Sequence, residues 1–197
     1  MIRAITTTAG FSLIAQTVRL TIFSTIIGLF ANVALAVPSA SATTLSLKEI
    51  RESGVVVQQW DTSCGAAAMA TVLSYSFGDK VSEREVARGL LRQTEPLKVR
   101  YRGGFSMLDM KRYAEERGYR ALGFRDLSIE DVRYFDAPIV PLNIHGYSHY
   151  VVFRGMNSAG TVHVADPAFG NRTLSRSKFE KAWINGMAFV MLKRAAQ

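Results

Sequence analysis

The stretch VVVQQWDTSCGAAAMATVL, Val55 to Leu73, holds the only cysteine of the 197-residue chain. Polar residues precede Cys64 and small ones follow it. Asp61, Thr62 and Ser63 are N-cap candidates, so the stretch predicts a helix from Cys64 to about Phe77. Met69, Val72, Leu73 and Ser76 share one face at helical spacing. The run Gly65-Ala66-Ala67-Ala68 is small all round and lets other backbone come close. A thiol at the first residue of that helix meets the positive end of its dipole, which favours the thiolate that nucleophilic chemistry needs. By itself the pattern equally fits a buried, inert cysteine.

Working outward, one cysteine forms no intrachain disulfide, so Cys64 is free, paired to another molecule, or kept for its reactivity. The redox context comes from the N-terminus. Arg3 and Arg19 are the only charges before Lys48, and Leu20–Ala36 reads LTIFSTIIGLFANVALA. That apolar run ends in Ala34-Leu35-Ala36, and Ala40-Ser41-Ala42 follows. A basic start, an apolar middle and A-x-A endings predict a signal peptide and spacer over 1–42, cut near Ala36 or Ala42. The expected location is the periplasm or another extracytoplasmic space. The same run, left uncleaved, is near the lower length for a membrane anchor, and that is the only membrane contact expected.

Residues 43–197 are then one ordinary domain. The formal net charge is +8, of which Arg3 and Arg19 supply two, leaving +6. Acids are interspersed with the bases, as in KFEKAW and AEERGYR, and only KVRYRGG (98–104) is locally basic. This is a solvated surface with no nucleic-acid motif. Three histidines and one cysteine at these spacings form no zinc site, and no Gly-rich phosphate loop is present, so no metal or other cofactor is expected.

Ser82, Ser106, Ser128 and Ser177 each precede an acid by three residues and open predicted helices. Strands cluster late: 119–124, 138–144, 149–155, 161–166 and 187–193. The two prolines of PIVPLNI point to an edge or an irregular start for the second of these. Helices first and an antiparallel sheet after give an α+β fold.

A thiolate nucleophile needs an imidazole. His149 opens the strand HYVVFRG, and Asp166 closes TVHVAD. A hairpin centred between Asn157 and Ser158 sets these two opposite each other on one sheet face, with His163 opposite Val152 on the other. Asp166 then holds one ring nitrogen and leaves the second for the thiol. His145, in the turn IHGYSH, is a substitute base that reads more simply as a surface residue. His163 reads more simply as a strand residue. The oxyanion of acyl transfer needs donors: the Cys64 N–H is one, and one of Gln58 and Gln59, which point opposite ways in an extended segment, is the other.

QQWDTSCGAAA, SHYVVFRG and VHVADPAFG together resemble the double-glycine leader peptidases that process bacteriocin precursors, family 39 of the papain-like cysteine peptidases. The resemblance spans about residues 55–193. In that family a Gln lies six residues before the Cys, the His starts a strand, and the Asp is followed by Pro. Gln58, Cys64, His149 and Asp166 stand at those positions. The tail LSRSKFEKAWINGMAFVML is similar to the family's closing helix and strand. The resemblance implies a papain-like fold over 43–197, with the cysteine on the central helix and the antiparallel sheet C-terminal. It also implies a cysteine peptidase cutting after small residues. Ser63 departs from the pattern, standing where an acid is common. The best-known members are fused to an ABC exporter, whereas this chain reads as exported itself. It is closer to stand-alone exported relatives, some tied to secretion of extracellular fibres, including functional amyloid. The expected partner is thus a protein or peptide substrate, such as a component of a secretion or fibre system. Two other readings use the same residues: a non-cleaving binding module that assists secretion, and an acyl transferase or amidase. The Gly103-Gly104 pair reads as a turn before the Ser106 helix.

Overall fold

A computed structural model describes residues 44–193. The export segment expected over 1–42 lies outside them. The first element, α1 (Leu47–Glu52), is a short helix closed by a capping box between Ser46 and Glu49. Next is α2 (Cys64–Thr71), starting at the cysteine as the sequence predicts and running into a π-helical turn, Val72–Ser76. It is followed by α3 (Glu83–Gln93), α4 (Pro96–Arg102) and α5 (Met107–Glu116). Capping boxes at Ser82 and Ser106 open α3 and α5, each satisfying free N–H groups of the first turn. α4 has Pro96 in its first turn and Gly103 (φ 74) as its left-handed stop.

Six strands follow: β1 (Arg120–Phe124), β2 (Ile139–Ile144), β3 (Tyr147–Met156), β4 (Thr161–Asp166), β5 (Gly170–Ser175) and β6 (Ala188–Leu192). They form one antiparallel sheet in the order β1-β6-β2-β3-β4-β5. Two short helices interrupt them: α6 (Ile129–Val132), boxed by Ser128 and Asp131, and α7 (Arg176–Ala182). The chain is therefore α+β, helices first, with the cysteine on a central helix whose eight residues are all buried.

Strand residues alternate between two cores. Ile139, Val152, Ala165 and Phe189 pack with Met69, Leu73, Leu90 and Met110 of the N-terminal helices. Val140, Val151, Phe153 and Val164 pack with Ile129, Val132, Phe179 and Trp183. Burial on both faces is why these strands read as unbroken apolar runs. Each such side chain removed from water stabilises the fold by about 1.5–3 kcal/mol. Gly89 marks the closest helix contact: a Cβ there would sit 2.0 Å from the Tyr113 ring of α5.

Four expectations need correction. β2 lies inside the sheet, not at its edge. It tolerates Pro141 because β6 pairs with it only at Ile139↔Phe189, so no ladder on that side is broken there. α7 begins at Arg176 with Ser175 as its cap, not at Ser177. α1, α4 and the polar strand β5 were not expected. The β3–β4 hairpin is centred one residue later than expected, between Ser158 and Ala159, with Val152↔Ala165 and Phe153↔Val164 as partners. The Asn157 side chain accepts from the Ala159 and Thr161 N–H groups, which stabilises a longer loop. A bulge at Arg154 then pairs His163 with Gly155 rather than Val152.

Candidate active site

Cys64 is the first residue of α2 and is 6% exposed. Ser63 occupies the N-cap position but makes no side-chain cap. Its hydroxyl instead lies between the Trp60 carbonyl, 2.6 Å away, and the Glu83 carboxylate. The first-turn N–H groups of α2 therefore receive no cap from the Ser63 side chain. Beside it, Gly65 sits where a Cβ would come within 3.4 Å of the Tyr150 ring. Burial pushes the Tyr150 hydroxyl up to about 12, so this wall of the site stays uncharged.

The corrected hairpin moves the β3–β4 pairing by two residues. A shift of two preserves the sheet face. His149 and Asp166 therefore meet as diagonal neighbours rather than as opposite ones, within reach of an imidazole. The His149 Nε2 lies 2.6 Å from Asp166 Oδ1, and the His149 side chain is 14% exposed. Burial acts to lower the imidazole, but the hydrogen bond to Asp166 and the influence of Cys64, with the charges of both, outweigh it and raise His149 to about 9. With Nε2 turned to Asp166, Nδ1 is the nitrogen left for the sulfur. The ring is thereby held in its charged form at neutral pH, between a carboxylate and a thiol.

Asp166 is 1% exposed and well partnered. Oδ1 also accepts from the Ala168 N–H at 2.9 Å, and Oδ2 accepts from Arg172 Nη1 at 3.2 Å. The Arg172 guanidinium in turn lies over the Phe169 ring, 5.2 Å from its centroid.

The two adjacent glutamines separate as their alternation demands. Gln58 is half-buried and Gln59 exposed. The Gln58 backbone N–H donates to the Pro167 carbonyl at 2.8 Å, tying the segment before the cysteine to the residue after Asp166. Its Nε2 donates to the Trp60 carbonyl at 2.9 Å, and its buried Oε1 has no partner among the described residues. An amide nitrogen carries two hydrogens, so Nε2 keeps one donor to spare.

Of the other histidines, His145 sits exposed at φ 50 in the β2–β3 turn. His163 is exposed on the sheet face opposite Asp166. The structure brings neither to Cys64. Among the described residues no cluster of His, Cys, Asp or Glu could hold a metal ion.

Two residues of the site were missed in the sequence. Glu83, 3% exposed at the first turn of α3, accepts the Gln59 N–H with both oxygens at 3.0 Å and meets the Ser63 hydroxyl. It fastens the loop that carries Gln58 and leads into Cys64. The available signal was the departure at Ser63: the carboxylate absent from that position arrives from the next helix. Arg172 is the second, and its signal was parity with Asp166 across the short turn PAFG.

Residues 52–196 match the model of the Peptidase C39 family. The chain is 40% identical over 147 residues to a protein of Pseudomonas aeruginosa named "Probable functional amyloid protease FapD", covering 75% of this chain and 64% of the relative. A protein of the same name from Pseudomonas fluorescens is 40% identical over 148 residues, covering 75% and 64%. The match thus spans just under two thirds of the length of these curated relatives. Among solved structures, the fold is similar to a double glycine motif protease from an AMS/PCAT transporter in complex with the leader peptide. That similarity has a TM-score of 0.57 at 24% identity and covers 70% of this chain and 89% of that one. It is also similar to the peptidase domain of Streptococcus ComA, with a TM-score of 0.58 at 21% identity, covering 71% and 98%.

Proposed function

The chain belongs to the Peptidase C39 family, and from that premise we propose that it is an exported cysteine peptidase. Its substrate is a secreted or fibre-forming precursor, cut after small residues. Residues 1–42 direct export and 43–197 form the peptidase domain. One observation carries the chemistry: the His149 Nε2 lies 2.6 Å from the buried Asp166 carboxylate, and Cys64, the only thiol, is among the groups that raise the ring.

In this reading Cys64 is a thiolate whose proton sits on the charged His149 ring; the sulfur attacks the peptide carbonyl and forms a C–S bond. The oxyanion takes the Cys64 N–H and the spare Gln58 Nε2 hydrogen. His149 Nδ1 gives its proton to the departing amine as the C–N bond breaks, and Asp166 holds the ring through Nε2. Water then adds to the acyl group and passes one proton to His149; the C–S bond breaks, the hydroxyl stays on the released carboxyl product, and the sulfur leaves as the thiolate that started the cycle. The precursor class rests on the printed name of the Pseudomonas relatives, and the Gly-Gly preference on that of the transporter protease.

The test is cleavage of a synthetic peptide carrying a Gly-Gly or Gly-Ala pair by the wild type and by Cys64→Ala. The wild type is expected to cut it and the variant to leave it whole. Retained cleavage by Cys64→Ala refutes the reading.

A further inference from the structure

Asp166 lies on β4, between β3 and β5, and meets a cation from each. The register pairs Val164 with Arg172 and Asp166 with Gly170, so Arg172 is the diagonal neighbour of Asp166 on the β5 side, as His149 is on the β3 side. All three side chains share one face. The β4–β5 connection is too short to let them drift. Gly170 (φ 76) closes it, and a Cβ there would meet the Arg51 carbonyl oxygen at 2.5 Å.

We propose that Arg172 is a positioning residue of the site: it holds Asp166 Oδ2 so that Oδ1 is presented to His149, and its charge sets the pH window of the Cys64–His149 pair. This rests on the peptidase reading above. Oδ1 has two donors, His149 and the Ala168 N–H, whereas Oδ2 has Arg172 alone. Without the guanidinium, a buried carboxylate oxygen is left unpaired, and the group gains by rotating it toward the imidazole. The guanidinium also packs over the exposed Phe169 ring. The Arg172 side chain is 35% exposed and Asp166 only 2%. The interaction is therefore partly screened on the arginine side and fully desolvated on the carboxylate side. The charged and titratable groups near Asp166 are His149 from β3, Cys64 of α2 next to that ring, Arg172 from β5, and Arg51 of α1, which packs against Gly170, the register partner of Asp166.

The sign of the effect is fixed. A cation opposes protonation of every group near it, so its removal makes the protonated forms persist to higher pH. Cys64 is the only cysteine of the chain, so iodoacetamide uptake followed against pH reports that thiol without a substrate. In Arg172→Gln the rising limb of the uptake profile is expected about half a pH unit higher, or about threefold slower uptake at a fixed pH on that limb. Arg172→Lys keeps the charge and leaves the limb in place. Phe169→Ala, which removes a 56% exposed ring, is expected to shift the limb the same way by less. A limb that stays in place in Arg172→Gln overturns the proposal; should that variant not fold, an unmoved limb in Phe169→Ala does so. Cys64→Ala in the peptide assay keeps the two readings apart. If it abolishes cleavage while the limbs stay unmoved, only the role of Arg172 falls; if it retains cleavage, both fall.

Discussion

On the cysteine side of the site, the carboxylate of Glu83 accepts from neutral donors, the Gln59 N–H and the Ser63 hydroxyl. On the histidine side, Asp166 faces cations, with His149 on one oxygen and Arg172 on the other. Both carboxylates are almost fully buried. The difference lies in what each is bound to. Glu83 holds backbone and a hydroxyl, so it fixes where the loop before Cys64 runs. Asp166 holds titratable and charged groups, so it fixes the protonation of a ring as well as its direction. The first wall sets geometry; the second sets geometry and charge together.

Breaking the charged wall has the largest expected effect. His149→Ala removes the proposed proton carrier, and peptide cleavage is expected to fall about 10³-fold. A loss of less than tenfold would hand the role to another group. Next comes the donor between the walls. Gln58→Ala is expected to lower kcat about 10²-fold, whereas Gln59→Ala, whose side chain is exposed, leaves it near wild type. Equal losses in the two variants would break the assignment of the inward donor.

The neutral wall sharpens the comparison. Glu83→Gln keeps the shape but trades a charged acceptor for one that cannot accept on both sides, and a drop of about tenfold in kcat/KM is expected. Because Glu83 acts on position alone, the pH profile of that variant is predicted to keep the wild-type limbs. A shifted profile would mean that both walls tune charge.

The smallest effect is on stability. His149 is raised in the folded chain from 6.5 to about 9, so its ion pair stabilises the fold fully below about pH 6.5, and that contribution is lost as pH rises through about 9. The melting temperature followed by calorimetry should decline across that window in the wild type and decline less in Asp166→Asn. Parallel curves for the two would remove Asp166 as the source of the shift.

Much of this was legible because it follows from local chemistry. The helix start at Cys64 came from polar residues giving way to small ones, and three of the capping boxes from their serines and acids. The pairing of His149 with Asp166 survived a wrong register, because an even slip leaves side chains on the same face. What was not legible depends on contacts distant in the chain or on context. β5 is polar and half-exposed, so neither alternation nor an apolar run marks it. α1 buries no residue and has no apolar stripe facing the core. Glu83 looked like one of several first-turn acids of α3, and only its burial against Gln59, 24 positions away, gives it a role. The register itself hinged on the Asn157 side chain and on a bulge at Arg154, neither of which hydrophobic periodicity reports.

The central claim is that a sulfur and an imidazole, carried by different halves of the chain, act on each other. It is tested most directly by titrating the His149 ring by NMR in the wild type and in Cys64→Ala. The wild-type midpoint is predicted near 9 and the variant's below it, because Cys64 is one of the groups that raise it. A midpoint near 6.5 in both proteins, unmoved by loss of the sulfur, would contradict the account.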